Sequence, residues 1–353
     1  MTSGPGPGLQ PSLAAGASGP LPASGDPILQ VSGLRKSYKT RHRRKVTSVE
    51  AVRGVDFAVQ RAEIFGFLGP NGAGKSTTLR MLATLLRPDG GEAMIAGADL
   101  LRDPAQVRRR IGFVAQESGT YGESTGRRDL VNQARMYGVP KSAAKGLAEA
   151  AIAAFQLEDF VDRQIKTYSG GQSRRLDVAL GVIHSPQIIF LDEPTAGLDP
   201  PSRARMWQEV RKLRDQGMTI FLTTHYLDEA DALCDRISII DAGLIVAEGT
   251  PSDLKREISG DVVVVDLAAP DTAGAPEPAV ILQAAKILTE QPYVESCETI
   301  EHTLRLYVDG AATAIPQIMR ALSAKGIEPG AIETRRPSLD DVFLAKTGRT
   351  IGD

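Results

Sequence analysis

Nine consecutive residues, Gly69-Pro70-Asn71-Gly72-Ala73-Gly74-Lys75-Ser76-Thr77, have the composition and spacing of a phosphate cradle. They fit G-x-x-x-x-G-K-S, the P-loop pattern. Glycines let a backbone turn tightly and approach phosphate oxygens with no Cβ in the way, and a helix opening near Gly74 aims unpaired N–H groups at an anion. In that chemistry Lys75 bridges the β- and γ-phosphates of a nucleoside triphosphate and Ser76 ligates Mg²⁺. Carboxylates come from a second place. Ile188-Ile189-Phe190-Leu191-Asp192-Glu193-Pro194 is an apolar run ending in two acids, the Walker B pattern. Asp192 would hold Mg²⁺ directly or through water, and Glu193 would polarise the water that attacks the γ-phosphate. An acidic pair that merely ends a strand looks the same, so the order of the motifs matters. Between the two stands Tyr168-Ser169-Gly170-Gly171-Gln172, whose glycines and hydroxyl make either a second anion-seeking turn or an ordinary helix-capping loop before a helix beginning near Ser173.

These groups need a scaffold that brings distant segments together. Ile64 to Leu68 reads as a buried strand entering the cradle, and Thr77 to Leu86 as the helix leaving it. Met218 to Thr224 is a β-rich run that delivers His225 at its end. From Ile28 to about Glu257 short β-rich runs alternate with helical stretches, the rhythm of a sheet with helices packed against it. Residues 117 to 168 form a helical insertion, with Val131 to Tyr137 and the Ala-rich Leu147 to Leu157 as its helices. Residues 1 to 26, rich in Gly, Pro, Ser and Ala, predict a flexible tail. After Gly260 the pattern changes to a separate small α+β domain over 258 to 353. Its strands are expected at Asp261 to Leu267 and Thr303 to Val308, a loop from Ala268 to Pro278, and helices at Val280 to Leu288 and Ile315 to Ala324.

Composition narrows the partners. The 353 residues, 42% apolar and 24% charged, allow a substantial core and more than one domain. A net charge of −2 gives no global basic field, so no nucleic-acid partner is expected. The basic run from Arg35 to Lys45 invites an anionic ligand, but without an aromatic platform it reads as a solvated loop. Cys234 and Cys297 are the only thiols, which excludes a disulfide framework or a CxxC zinc site. No apolar run approaches the roughly 18 residues that span a bilayer, and the N-terminus lacks the charged-then-apolar order of a secretory signal.

With the motifs in this order, the chain resembles the ATP-binding cassette (ABC) family, whose signature sequence is L-S-G-G-Q. Only Tyr168 departs from it, at a position that should pack rather than touch phosphate. The resemblance covers about residues 27 to 257 and implies an α/β P-loop NTPase cassette: a RecA-like core, an antiparallel β subdomain and a helical subdomain, here followed by the α+β domain. It implies ATP and Mg²⁺ as cofactors, with Tyr38 stacked on adenine. Gln116, in Phe113-Val114-Ala115-Gln116, would contact Mg²⁺ or the attacking water and report on a membrane partner. Asp199, in Ala196-Gly197-Leu198-Asp199, matches the D-loop, and His225 the switch histidine that hydrogen-bonds the γ-phosphate. Lys75, Gln116, Glu193 and His225 would carry catalysis. Ser169, Gly170, Gly171 and Gln172 would close over the nucleotide of a second cassette, so the chain should pair with a copy of itself or a related subunit around two ATP molecules.

The segment from Thr224 to Arg236 and the closing Pro337-Ser338-Leu339-Asp340-Asp341-Val342-Phe343-Leu344 resemble the daunorubicin-resistance branch of ABC exporters. That branch is bacterial, carries an extra C-terminal domain, and works from the cytoplasmic face of the membrane with a separate permease. The transported compound is set by the permease. A soluble cassette ATPase acting on DNA, ribosomes or iron–sulfur assembly is the other class. A compact insertion without coiled coil or zinc module, and a single cassette per chain, favour the exporter.

Overall fold

Apolar runs without alternation form strands covered on both faces, and the central sheet is built from them. The computed structural model describes residues 25–42, 45–117, 119, 122–258, 261–267, 278–335 and 337–350. The expected tail up to residue 24, the expected loop over 268–277, and Arg43 and Arg44 of the basic run lie outside the described residues. Six strands, β3 (Ile64–Leu68), β6 (Ile111–Val114), β7 (Ile188–Asp192), β8 (Thr219–Thr224), β9 (Arg236–Asp241) and β10 (Leu244–Gly249), lie in the order β10-β9-β3-β8-β7-β6. Every residue of β3, β7 and β8 is buried. β9, β3, β8, β7 and β6 run parallel, and β10 closes one edge antiparallel to β9. Parallel strands bring their carboxyl ends to a common edge. The residues following β3, β8, β7 and β6 therefore emerge side by side, with Leu68 registered opposite Thr224 and Asp192 opposite Thr223.

A second sheet contains β1 (Leu29–His42), β2 (Lys45–Val59), β4 (Gly90–Ile95) and β5 (Ala98–Asp99), all antiparallel, in the order β2-β1-β4-β5. Phe57 of β2 joins it to the first. Its ring centroid lies 5.8, 5.4 and 5.8 Å from those of Phe65, Phe67 and Phe221, inside one core. Aromatic pairs of this kind contribute about 0.5–1.5 kcal/mol each beyond the area they bury. The basic run is not the loop expected. Arg35 to His42 continue β1 and Lys45 begins β2, with Arg41 paired to Val46 and His42 to Lys45. The β-branched residues of the returning strand, Val46, Thr47 and Val49, favour that extension.

The insertion between β6 and β7 holds helices Gly126–Met136 and Lys141–Ala154 and a 3₁₀ turn at Ile165–Thr167. The next helix spans Gly170–Val182 and starts earlier than expected. Ser169 Oγ accepts the Gln172 N–H at 3.3 Å while Gln172 Oε1 accepts the Ser169 N–H at 3.0 Å. That reciprocal capping box satisfies the first-turn donors without a preceding turn of helix. The helix leaving the cradle, Lys75–Leu82, ends short of Leu86 because Thr84 sits at φ 62°, outside the helical region.

Residues up to Thr250 form one compact unit and those from Pro251 onward a second. The division falls ahead of Glu257 because helix Pro251–Glu257 packs on helix Leu339–Thr347, with Lys346 Nζ 3.0 Å from Glu257 Oε2. In the second unit β11 (Asp261–Asp266), β12 (Val294–Ile300), β13 (Thr303–Val308) and β14 (Ala331–Arg335) form an antiparallel sheet in the order β12-β13-β11-β14. Helices Pro278–Thr289 and Ala311–Ser323 supply Ala284, Leu288, Ile318 and Leu322 to a core with Val263, Val265 and Leu306. Asp341 is fully buried against the other face of that sheet, among Arg305, Tyr307 and Arg335. It accepts from Tyr307 Oη at 2.8 Å, Arg335 Nη2 at 2.7 Å, Arg305 Nη1 at 3.2 Å and both the N–H and the hydroxyl of Ser338 at 2.7 Å.

Candidate functional site

β3 ends at Leu68, and the chain turns through Gly69 to Gly74 into helix Lys75–Leu82. Gly74 sits at φ 110°, and a Cβ there would lie 2.4 Å from the Ala51 carbonyl oxygen, so no larger residue fits. Lys75 is 4% exposed. Its ammonium gives two of three protons to the loop, to Gly69 O at 2.7 Å and Pro70 O at 3.1 Å, and faces Glu193 Oε1 at 3.6 Å. Burial lowers its pKa, and the Glu193 carboxylate opposes the shift. One residue on, Ser76 Oγ donates to Asp192 Oδ1 at 3.0 Å.

Asp192 is the last residue of β7, and the Thr223 hydroxyl of β8 donates to the same Oδ1 at 2.7 Å. The Glu193 N–H lies 3.1 Å from both the hydroxyl and the carbonyl oxygen of Thr223. Glu193 has φ 46°, a left-handed conformation costing about 1–2 kcal/mol for a residue with a Cβ. The turn swings its carboxylate toward the cradle. Gln116 Nε2, just beyond β6, donates to Glu193 Oε2 at 2.9 Å. His225 Nδ1 lies 3.1 Å from Glu193 Oε1 without hydrogen-bond alignment. The helix after it, Leu227–Leu233, is held at its far end: the Asp235 carboxylate accepts the Ile64 N–H at 2.8 Å, and Cys234 Sγ would lie only 2.6 Å from a Cβ on Gly66.

Asn71, Gly72, Gly74, Lys75, Ser76, Thr77, Gln116 and Glu193 line a cleft of about 170 Å³. Asp192 and His225 join it through the contacts just given and Gly69 and Pro70 through Lys75, while Ala73 of the same loop is buried behind it, its carbonyl accepting the Gly243 N–H at 3.0 Å. Six of the expected residues are elsewhere. Tyr38 stands on β1, 41% exposed, paired with Val49 and not lining the cleft. Ser169, Gly170, Gly171 and Gln172 open their own helix, and Asp199 caps helix Pro200–Asp215 on the surface, its pKa lowered chiefly by the Ser202 hydroxyl. Tyr168 packs edge-on against Phe160 at 4.9 Å and accepts the Gly126 N–H at 3.3 Å.

Two residues of the site went unread as such in the sequence. Thr223 is fully buried between the acidic pair, and the Thr-Thr step before His225 was its only signal. Arg174, 6% exposed, donates to the carbonyls of Pro194, Asp192 and Ala115. Burial lowers its pKa, against the pull of Asp177 and Asp192. Its helical spacing from Val178 and Gly181 puts it on the buried face, which is the signal that could have found it.

This arrangement is a phosphate cradle with a lysine, a hydroxyl and two carboxylates converging on it. The family profile described as ABC transporter matches residues 52–196, and a second, described as ATP-binding protein DrrA1-3-like, C-terminal domain, matches residues 249–347. The daunorubicin/doxorubicin resistance ATP-binding protein DrrA of Streptomyces peucetius is 41% identical over 326 residues, 92% of this chain and 94% of that protein. The chain belongs to the ABC transporter ATP-binding subunits, in their daunorubicin-resistance branch. Daunorubicin resistance ATP-binding protein DrrA3 of Streptomyces coeruleorubidus is 39% identical over 92% of this chain and 96% of its own length. Linearmycin resistance ATP-binding protein LnrL of Bacillus subtilis is 32% identical over 92% and 100%. Among solved structures, a dimeric ATP-binding cassette in a post-hydrolysis state, bound to ADP and phosphate, superposes with a TM-score of 0.57 at 25% identity, covering 63% of this chain and 98% of that one. As an ABC ATP-binding subunit the chain binds nucleotide and is an ATPase that powers an exporter. No described helix is long and apolar enough to cross a membrane.

Proposed function

We propose that this chain hydrolyses ATP in a site completed by a second cassette and drives a separate membrane permease, to which it docks on the cytoplasmic face, for the expulsion of lipophilic antibiotics. The observation that carries the chemistry is the meeting of Lys75, Gln116 and His225 around the Glu193 carboxylate. In this reading Lys75 exchanges its loop carbonyls for the β- and γ-phosphate oxygens, which keeps an ammonium in reach of the charge that develops there. Glu193 lines the cleft while the Asp192 carboxylate is engaged by Ser76 and Thr223, so Glu193 accepts the proton of the attacking water. Gln116 fixes the direction of that carboxylate, and His225 donates to the γ-phosphate.

Ser76 and Asp192 are the residues that fit a magnesium ion. They are already 3.0 Å apart and offer a hydroxyl and a carboxylate, the hard oxygen donors that ion prefers. Among the described residues no group of three or more His, Cys, Asp or Glu side chains could hold a metal on its own, which matches an ion that draws its remaining ligands from phosphates and water. Bound there, Mg²⁺ would neutralise phosphate charge. The resistance functions named for the relatives support antibiotics as the exported class, with linearmycin resistance extending it beyond daunorubicin and doxorubicin.

Ser169 and Gly170 are exposed and stand away from the cleft of their own chain, which supports their action on the nucleotide of a partner cassette. The test is Glu193→Gln. With hydrolysis blocked and ATP retained, that variant should dimerise with ATP and Mg²⁺ in light scattering and lose turnover. A strictly monomeric variant at saturating ATP would remove the two-cassette site. Affinity purification from native membranes should bring down an integral protein, and recovery of ribosomes or DNA instead would remove the exporter assignment.

A further inference from the structure

Arg174 does not line the cleft, yet its guanidinium grips the backbone on both sides of Glu193 and just before Gln116. Nε donates to Pro194 O and Nη2 to Asp192 O, each at 2.8 Å, so Glu193 is bracketed by two held peptide groups. Nη1 donates to Ala115 O, the carbonyl just before Gln116. A guanidinium is a planar fork with donors at fixed angles, so three carbonyls from two segments are locked to one rigid frame. What the frame sets is visible in the cleft. Glu193 stays in its left-handed conformation at φ 46°, and Gln116 Nε2 sits 2.9 Å from Glu193 Oε2.

We propose that Arg174 is the positioning residue that sets the Glu193–Gln116 pair for water attack, acting from the signature helix. It stands five residues after Ser169 in sequence, about 7–8 Å along the helix at 1.5 Å per residue. The residue that orients the base of one site is thus on the same rigid element as the loop proposed to close the partner's site. Lysine cannot replace it: one ammonium reaches the same carbonyls only by choosing among them. The inference rests on the reading of Glu193 as the base.

The experiment measures ATP turnover and ATP affinity of the full chain with Arg174→Met and Arg174→Lys, each alone and combined with Glu193→Gln. Misplacing a base by a fraction of an ångström to an ångström costs on the order of 10–100-fold in kcat. Arg174→Met should therefore lose about that much turnover while KM and ATP affinity stay within about threefold. In the Glu193→Gln background the same change should remove less than about twofold of the residual rate, because its target is already gone. Arg174→Ala should regain turnover with ethylguanidinium and not with ethylamine. Where Arg174→Met does not fold, Arg174→Lys is judged by the same criteria. Turnover within about twofold of wild type in both Arg174 variants, or an equal fold-loss with and without Glu193→Gln, overturns the proposal. Wild-type turnover in Glu193→Gln alone would instead overturn the assignment of the base.

Discussion

Thr223→Val removes one hydroxyl from the centre of the site and leaves its shape almost unchanged. That hydroxyl donates to Asp192 Oδ1 at 2.7 Å and accepts the Glu193 N–H at 3.1 Å, in full burial. The N–H keeps a second acceptor, Thr223 O, also at 3.1 Å, so the loss falls on the carboxylate bond. Hydrogen bonds to charged groups contribute about 1.5–3 kcal/mol, and the extra buried methyl offsets up to about 0.8 kcal/mol. The expected destabilisation is about 1–2 kcal/mol. Asp192 retains Ser76, so nucleotide affinity should hold, while the Asp192 carboxylate, released on one side, should cost about tenfold in kcat, the equivalent of 1.4 kcal/mol. Trp207 is the only tryptophan and belongs to the same unit, so its fluorescence follows urea unfolding of the right part of the molecule, and phosphate release gives kcat. Thr223→Ser keeps the hydroxyl and should turn over near wild type, with a loss of only about 0.5–1.5 kcal/mol for the missing methyl. Equal turnover losses in the two variants, or a valine variant that unfolds at the wild-type urea concentration, would refute this reasoning.

Gly74→Ala must place a Cβ 2.4 Å from Ala51 O at φ 110°, so the cradle has to open, and ATP affinity by calorimetry should fall at least about tenfold. Asp341→Asn leaves Arg305 and Arg335 without their buried carboxylate and should destabilise the second unit by about 3 kcal/mol at pH 7, read as faster amide exchange in β11. Burial pushes the Asp341 carboxyl up, but bonds from Ser338 and Tyr307, with Arg335 beside it, more than reverse the shift and hold its pKa below the ordinary value. A depressed carboxylate stabilises fully above its unfolded pKa of about 3.9 and loses that contribution as pH falls through the lower folded value. The wild-type second unit should therefore loosen below about pH 4, and the Asn variant should lack that acid-dependent step.

The chemistry was legible where residue type alone forces it. Lysine after a glycine turn, a hydroxyl beside it, and acids closing an apolar strand were placed from the sequence, and the sheet brings them to one edge. Geometry created by backbone groups was not legible. Arg174 finds its partners in carbonyls that every residue possesses, so nothing at Ala115 or Pro194 marks them as acceptors. The left-handed turn at Glu193 leaves no trace either, since glutamate is not a residue that favours it. Edge strands β12 and β14 were hidden as well: among the described residues one side of each pairs with no strand, and Glu295, Ser296, Glu298 and Glu333 break the apolar pattern there. The extended hairpin of β1 and β2 was hidden for the opposite reason: its charges suggest a loop, while backbone pairing continues through Arg35, Lys36, Lys39, Arg41, His42 and Lys45.

The helix behind His225 bears on how the ring would reach the γ-phosphate in the proposed site. With Asp235 tied to Ile64 and Cys234 packed against Gly66, that rod is fastened to the neighbouring strand at its distal tip. In the proposed site the imidazole would therefore meet its target by a twist of its own bonds, a picosecond-to-nanosecond adjustment, rather than by travel of the helix.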